Sequence, residues 1–334
     1  ETSDLCSGAG PAALEAHLAA TADLPVTVFP TVPPQWFYDR FEPQEGEASD
    51  RARLADALAH DRVVGVGEVD WIFVTGRASP VEALLERAAA EDVRVCGHGA
   101  GCRGGRYAAF ASIVDSDHEA IEPAGVRERL DAGVHVIGRC GTARDDVAAV
   151  ATVVREDGVT DVSLSTDGLD LRDLRADGHG DRVVRRAIEA GIDPVDAIRM
   201  ATVVPARHFR LGRRGTLAPG SVADVVVLDD LERVTVDTVV ADGEVVVADG
   251  EPRVGPRPHD YPADLVDAGA VSLPPDRFAV PASRAVDGAV RAIGYTNGFY
   301  TPTETVSPAR RDGRLEAAPE RGVLKAALLC RRPG

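Results

Sequence analysis

The sequence predicts an α/β fold of βα units around a parallel sheet, and three observations predict it. Short apolar, β-branched runs alternate with amphipathic helical stretches over the first two thirds of the chain, the pattern of βα units around a parallel sheet. Each run is nearly continuous in apolar residues, as a strand covered on both faces requires. Glu68, His98, the Asp117-His118-Glu119 run and Asp167 stand at or just past the ends of such runs, where parallel barrels gather their reactive groups.

Six strands are expected, at 26–29, 63–68, 93–98, 111–115, 134–139 and 161–166. The helices between them carry their own start and stop signals. Ser79-Pro80-Val81-Glu82 is a capping box with proline at the first helical position, leading into a helix over 83–90. Val147, Val150, Ala151 and Val154 recur at helical spacing, and Gly158 follows as a stop. Asp181 opens a helix that puts Val184, Ala187 and Ile188 on one face and that Gly191 closes, and Asp193-Pro194 starts another.

Around Gly215 the texture changes. Residues 215–229 and 234–247 read as antiparallel strands joined by tight turns, with Asp242-Gly243 a hairpin signal. A proline-rich stretch over 252–275 precedes mixed short strands over 281–334. Divided by these changes of texture, the chain has βα units over 1–210, an antiparallel segment over 211–255, a proline-rich linker over 256–279 and mixed short strands over 280–334.

The formal charge of −17 over 334 residues argues against nucleic acid or an anionic membrane as partner, since both need a basic face. An apolar share of 44% is that of a globular protein. Lys325 is the sole lysine. Excess carboxylate with scarce lysine and 4% aromatics fits a surface adapted to concentrated salt, as in a haloarchaeal cytoplasm; a GC-rich coding bias accounts for the same composition. Cys6, Cys96, Cys102, Cys140 and Cys330 form no paired framework, which reads as reduced thiols in a cytoplasmic protein.

Two imidazoles and two carboxylates from four strand ends make a plausible site for a hard or borderline divalent metal: Glu68, His98, His118 and Asp167. Singly, each has an ordinary reading as a cap, a salt-bridge partner or a hydrogen-bonded loop residue. Cys96 and Cys102 flank His98, so a Cys–His site is conceivable beside the reading of both as buried small residues. His179 reads equally as a helix-start cap or as support for the site, and His135 as a packed core residue. The Asp145-Asp146 and Asp229-Asp230 pairs read as solvated caps and turns.

The runs VVGVGEV (63–69), CGHGAG (96–101), DSDHEA (115–120) and LSTD (164–167), in this order and at these intervals, resemble the adenine deaminase branch of the amidohydrolase superfamily. Residues 178–209 and 215–247 extend the match, and 281–333 resembles the start of that branch's C-terminal domain. The resemblance implies a (β/α)8 TIM-type barrel, partial here over 1–210, a small β-sandwich segment over 211–255 and the start of an α+β C-terminal domain over 280–334. It also implies a two-metal centre of manganese, iron or zinc, and hydrolytic deamination of adenine to hypoxanthine and ammonia. A small purine base is the implied partner, and closure of the barrel by a second copy stays open. Carried over residue by residue, Glu68 matches the metal-bridging carboxylate, and His98 and His118 match ligands of the next two strands. Asp167 matches the aspartate that binds metal and the attacking hydroxide, and Glu119 the proton shuttle. Asp70, Trp71, Arg139 and His179 are the candidates for touching substrate.

This chain also departs from that pattern. The His-x-His pair of the opening strand is absent, since no two of the eight histidines lie two residues apart. The expectation is therefore a chain lacking the first two barrel strands and the rest of the C-terminal domain. Gly168, Asp70-Trp71 and Cys140 stand where the branch usually differs. These departures keep two alternatives in view: an enzyme opening another cyclic amide, such as a hydantoin or dihydropyrimidine, or an inactive remnant.

Overall fold

A computed structural model describes residues 2–38, 47–75, 80–266, 273–294 and 302–327. Ser79, the first residue of the expected capping box, and Cys330 lie outside the described residues. The chain divides into two compact units, residues 1–265 and 266–334.

In the first unit two helices, α1 (Ser3–Ala9) and α2 (Pro11–Ala20), precede β1 (Thr31–Val32). Alternation then follows: α3 (Glu47–Asp56), β2 (Gly65–Asp70), the short α4 (Trp71–Val74), α5 (Val81–Ala90), β3 (Arg94–His98), α6 (Gly104–Ala111), β4 (Ser116–Asp117), α7 (Pro123–Asp131), β5 (His135–Arg139), α8 (Val147–Asp157) and β6 (Ser163–Ser165). Helices α9 (Leu171–Asp177), α10 (Gly180–Glu189), α11 (Pro194–Ala201) and α12 (Val203–His208) complete it. The six strands pair in parallel in sequence order, β1 to β6, the sheet of a TIM-type α/β barrel.

The helical signals act where they stand. Asp193 accepts from the amides of Val195 and Asp196 at the head of α11, and Gly158 ends α8 in the left-handed region at φ 70°. Apolar faces of α5, α6 and α8 seat Leu84, Phe110 and Val150 in the core, each at most 1% exposed.

Two strand expectations need correction. Residues 26–29 form no strand: Val26 is exposed, and the ladder begins one step later, with Val64 donating to the Pro30 carbonyl and Thr31 opposite Gly65. Proline has no amide to donate, so it stands just before the ladder. The apolar run at 111–115 ends a helix rather than making a strand; α6 runs through Ala111, the Ile113 amide caps back to Phe110, and β4 starts at Ser116. A short apolar run does not separate a buried strand from a helix end by period.

After the last helix the chain turns antiparallel. Strands β7 (Val225–Asp230), β8 (Thr235–Ala241), β9 (Glu244–Ala248) and β10 (Glu251–Pro252) form a sheet in the order β10-β9-β8-β7. Asp242 and Gly243 both take positive φ in the hairpin between β8 and β9, the geometry an Asp-Gly turn favours. The second unit holds β11 (Val280–Pro281), β12 (Val290–Ile293), β13 (Thr303–Val306), β14 (Ala309–Arg311) and β15 (Arg314–Glu316), as one small sheet ordered β11-β15-β14 and one β12–β13 pair. Among the described residues no helix is long and apolar enough to cross a membrane.

Candidate metal centre

Three side chains from consecutive strands meet at the carboxyl ends of the parallel sheet. Glu68 lies within β2 at a break in register between Val66 and Val69, which takes Gly67 and Glu68 out of the ladder. His98 ends β3, and His118 follows β4 directly. One ligand atom from each of Glu68, His98 and His118 lies within 4.8 Å of the others. His98 Nδ1 is 3.2 Å from His118 Nε2, which is itself 3.2 Å from Glu68 Oε1; Glu68 Oε2 is 3.7 Å from His98 Nδ1.

The electrostatics of this group favour a cation. Burial alone would raise the Glu68 carboxyl, but the hydrogen bond and charge of His118, with the charge of His98, hold it down at about 2. Burial works against a charged His118 ring, yet the hydrogen bond and charge of Glu68 prevail and raise its pKa above the ordinary value. A carboxylate and two imidazole nitrogens converging on one point fit a divalent ion of borderline hardness.

Glu119 is almost fully buried beside this group, with Oε1 3.6 Å from His98 Nδ1 and 3.9 Å from His118 Nε2. Its partner is Arg139, at the end of β5. Arg139 Nη1 donates to Glu119 Oε1 at 2.7 Å and to Asp167 Oδ2 at 2.8 Å, while Nε donates to Asp146 Oδ2 at 2.7 Å. Burial alone would lower the Arg139 pKa, but Glu119 and Asp146 outweigh it and raise it above the ordinary value.

Asp167 lies just past β6 with φ 43°, and its carboxylate reaches Arg139 rather than the three-ligand group. It does line the same cleft, of about 490 Å³, with Glu68, His118, Thr31, Cys96 and Phe209. That volume suits a small-molecule site.

The other candidates divide. Asp70 caps α4 by accepting from the Ile72 amide at 3.1 Å, and its own amide donates to the Tyr38 hydroxyl at 2.8 Å. The Trp71 indole donates to the Ala100 carbonyl at 2.9 Å, tying the segment after β2 to the loop after His98. Arg139 has its Nε and Nη1 on three carboxylates and is 1% exposed. His179 is exposed ahead of α10, its amide donating to Asp181 Oδ1 at 2.8 Å. Cys96 lines the cleft with its thiol pushed up to about 11 by burial, and Cys102 is buried; among the described residues neither belongs to the ligand group. His135 stacks on His208 with ring centroids 4.2 Å apart.

Asp146 corrects one expectation. It is not a solvated cap: it is 6% exposed, and it supports Arg139 from behind. Arg139 closes a nearly apolar strand, and a guanidinium carried inward there needs buried counter-charge. That requirement is the signal in the sequence that points to a buried acid nearby. Asp145 keeps its expected role, accepting from the Val147 amide at 3.2 Å and from Arg186 at 2.7 Å.

Comparison with known proteins agrees with this architecture. Residues 34–246, well over half of the chain, match the model of the amidohydrolase family. An adenine deaminase of Methanothrix thermoacetophila is 35% identical over 288 residues, 85% of this chain and 50% of that one. An adenine deaminase of Nitratidesulfovibrio vulgaris (strain DP4) is 32% identical over 332 residues, 98% of this chain and 56% of that one. The chain thus spans about half the length of these curated relatives. Among solved structures, the N-acetyl-D-glucosamine-6-phosphate deacetylase from Mycobacterium smegmatis superposes with a TM-score of 0.53 at 21% identity, covering 72% of this chain and 73% of that one. The crystal structure of an adenine deaminase gives 0.50 at 14% identity, covering 71% and 76%. These two likenesses bear on the fold alone. With the family model matching from Pro34, just after β1, to Val246 in β9, and so across the whole parallel barrel sheet after its first strand, the chain belongs to the amidohydrolase family.

Proposed function

We propose that this chain is the barrel portion of a hydrolytic deaminase of adenine or a closely related aminopurine, with two divalent cations, manganese foremost, at its centre. The observation that carries the reading is the convergence of Glu68, His98 and His118 within 4.8 Å beside a buried Glu119, in a chain similar over nearly its whole length to proteins named adenine deaminase.

Glu68, His98 and His118 would hold one of these cations. When bound, it supplies hydroxide at neutral pH by acidifying a water, which a carbon as weakly electrophilic as adenine C6 requires. The chain's own groups then handle protons. Asp167, at the cleft wall, accepts the proton that the attacking water gives up. Glu119 protonates the ring nitrogen next to the attacked carbon. The proton lost by the new hydroxyl as it becomes the carbonyl passes through Glu119 to the amino group, which leaves as ammonia, and the proton held on Asp167 restores Glu119. Arg139 holds one oxygen of each carboxylate, so the two proton carriers keep a fixed separation. The acidic surface with its single lysine supports a cytoplasmic setting rich in salt, so assays belong in concentrated KCl.

The test is ammonia release from adenine by the manganese-loaded chain in concentrated KCl. The reading expects release that a chelator abolishes and that manganese restores. Manganese bound in full with no ammonia released from adenine would refute it.

A further inference from the structure

We propose that a buried ion pair outside the ligand group, Asp117–Arg129, is the positioning device of the metal centre: it ties the backbone beside His98 to the backbone beside His118 and so sets the affinity of the site for a divalent cation. The proposal rests on the reading of Glu68, His98 and His118 as ligands.

Asp117 ends β4, one residue before His118, and both Asp117 and Arg129 are 0% exposed. Asp117 Oδ1 accepts from the Glu119 amide at 2.9 Å and from the Gly99 amide at 3.2 Å. Its other oxygen accepts from Arg129 Nε at 3.0 Å. Arg129 Nη2 continues to the Gly99 carbonyl at 3.1 Å, and Nη1 to the Gly125 carbonyl at 3.2 Å. Gly99, the neighbour of His98, is therefore held by both its N–H and its C=O. Glu119, the neighbour of His118, is held by its N–H. The guanidinium also packs on the Tyr107 ring, 4.5 Å from its centroid, which fixes its plane.

The local sequence is shaped around this contact. A Cβ on Gly99 would stand 2.2 Å from Asp117 Oδ2, so only glycine lets the carboxylate come so close. Burying a carboxylate and a guanidinium away from water carries a large desolvation cost, and an apolar pair of similar volume would fill the space more cheaply. What an apolar pair lacks is direction. Here three hydrogen bonds from one ion pair reach the residues next to two ligand histidines, in the way that partners beyond the ligands commonly orient them.

The test is a Mn2+ titration of the full chain in concentrated KCl, with free Mn2+ read by electron paramagnetic resonance and unfolding followed on the same samples. Arg129→Lys keeps the charge and loses the fork to Gly99. The double variant Asp117→Asn/Arg129→Met removes both charges and keeps an acceptor for the two amides. Met200→Ala, in the core on α11, serves as a control of lowered stability. Expected is Mn2+ binding weakened roughly 10- to 100-fold in both pair variants, with cooperative unfolding kept and the control near wild type. Folded pair variants that bind within twofold of wild type would overturn the positioning role while leaving the ligand assignment standing. A wild-type chain that binds no Mn2+ would overturn the ligand assignment, and the positioning role with it.

Discussion

Arg139 Nη1 stands 2.7 Å from Glu119 Oε1, and both side chains are at most 2% exposed. The same nitrogen reaches Asp167, so one buried cation links the carboxylate after β4 to the carboxylate after β6. A buried pair broken on one side leaves an uncompensated charge, at a cost of about 3–5 kcal/mol. Arg139→Met is therefore expected to lower unfolding free energy by about that amount, measured by denaturant titration at fixed KCl. Adding Glu119→Gln to Arg139→Met is expected to recover part of the loss.

Glu119 has a second expected signature. Glu119→Gln removes the ionisable proton carrier and keeps the shape, so turnover should fall about 10²- to 10⁴-fold. Mn2+ affinity in the same variant should stay within a few-fold of wild type. Steady-state ammonia release and a metal titration on one preparation separate the two effects.

The stacked His135 and His208 give the fold an acid-sensitive point at the opposite ends of the strands. Burial holds His135 at about 4; burial, then His135 and Arg94, hold His208 at about 3. Arg94 donates to the His208 carbonyl and to Asp115, Ser163 lies 2.7 Å from His135 Nε2, and Asp161, Arg210 and Phe209 complete the surroundings. Both rings stay neutral in the fold at a pH where the unfolded chain, with histidine near 6.5, takes up protons. Stability from this pair is thus whole above about pH 6.5 and is lost as pH falls towards about 4. Thermal melts across that range should show the decline, and His208→Leu should flatten it by about one proton.

Glycine contributes through space rather than flexibility at one loop. A Cβ on Gly141 would meet the Asp167 and Thr166 carbonyls at 2.4 Å, and backbone atoms cannot turn aside. Gly141→Ala should cost about 1–3 kcal/mol. Gly105→Ala in α6, where nothing lies within 4 Å, should instead stabilise by about 0.5–1 kcal/mol. Parallel denaturant curves test both signs.

Much of the parallel sheet was legible because its strands are apolar runs that stop at a polar residue. That pattern locates Glu68 and His98 with no knowledge of three dimensions; His118 follows an apolar run that ends a helix, and the structure brings all three together. The strand at 111–115 misled because Phe110, Ile113 and Val114 satisfy a helix end as well as a strand. The buried charge network was less visible. Whether Asp146 or Asp145 turns inward depends on the loop that places Asp146 against Arg139, which composition and period do not encode. The partnership of Asp117 with Arg129 likewise needs α7 packed against β4 before it exists. Asp167 shows the limit from the other side: its position at a strand end was readable, and its engagement with Arg139 was not.

The most direct measurement counts products from a single mixture of the manganese-loaded chain with adenine, a hydantoin and a dihydropyrimidine in concentrated KCl. Hypoxanthine and ammonia are expected in equal amounts, with both ring amides intact, and the reaction is expected to be lost in His118→Ala. Opening of a cyclic amide to a new carboxylate, with adenine untouched, would contradict the deaminase reading.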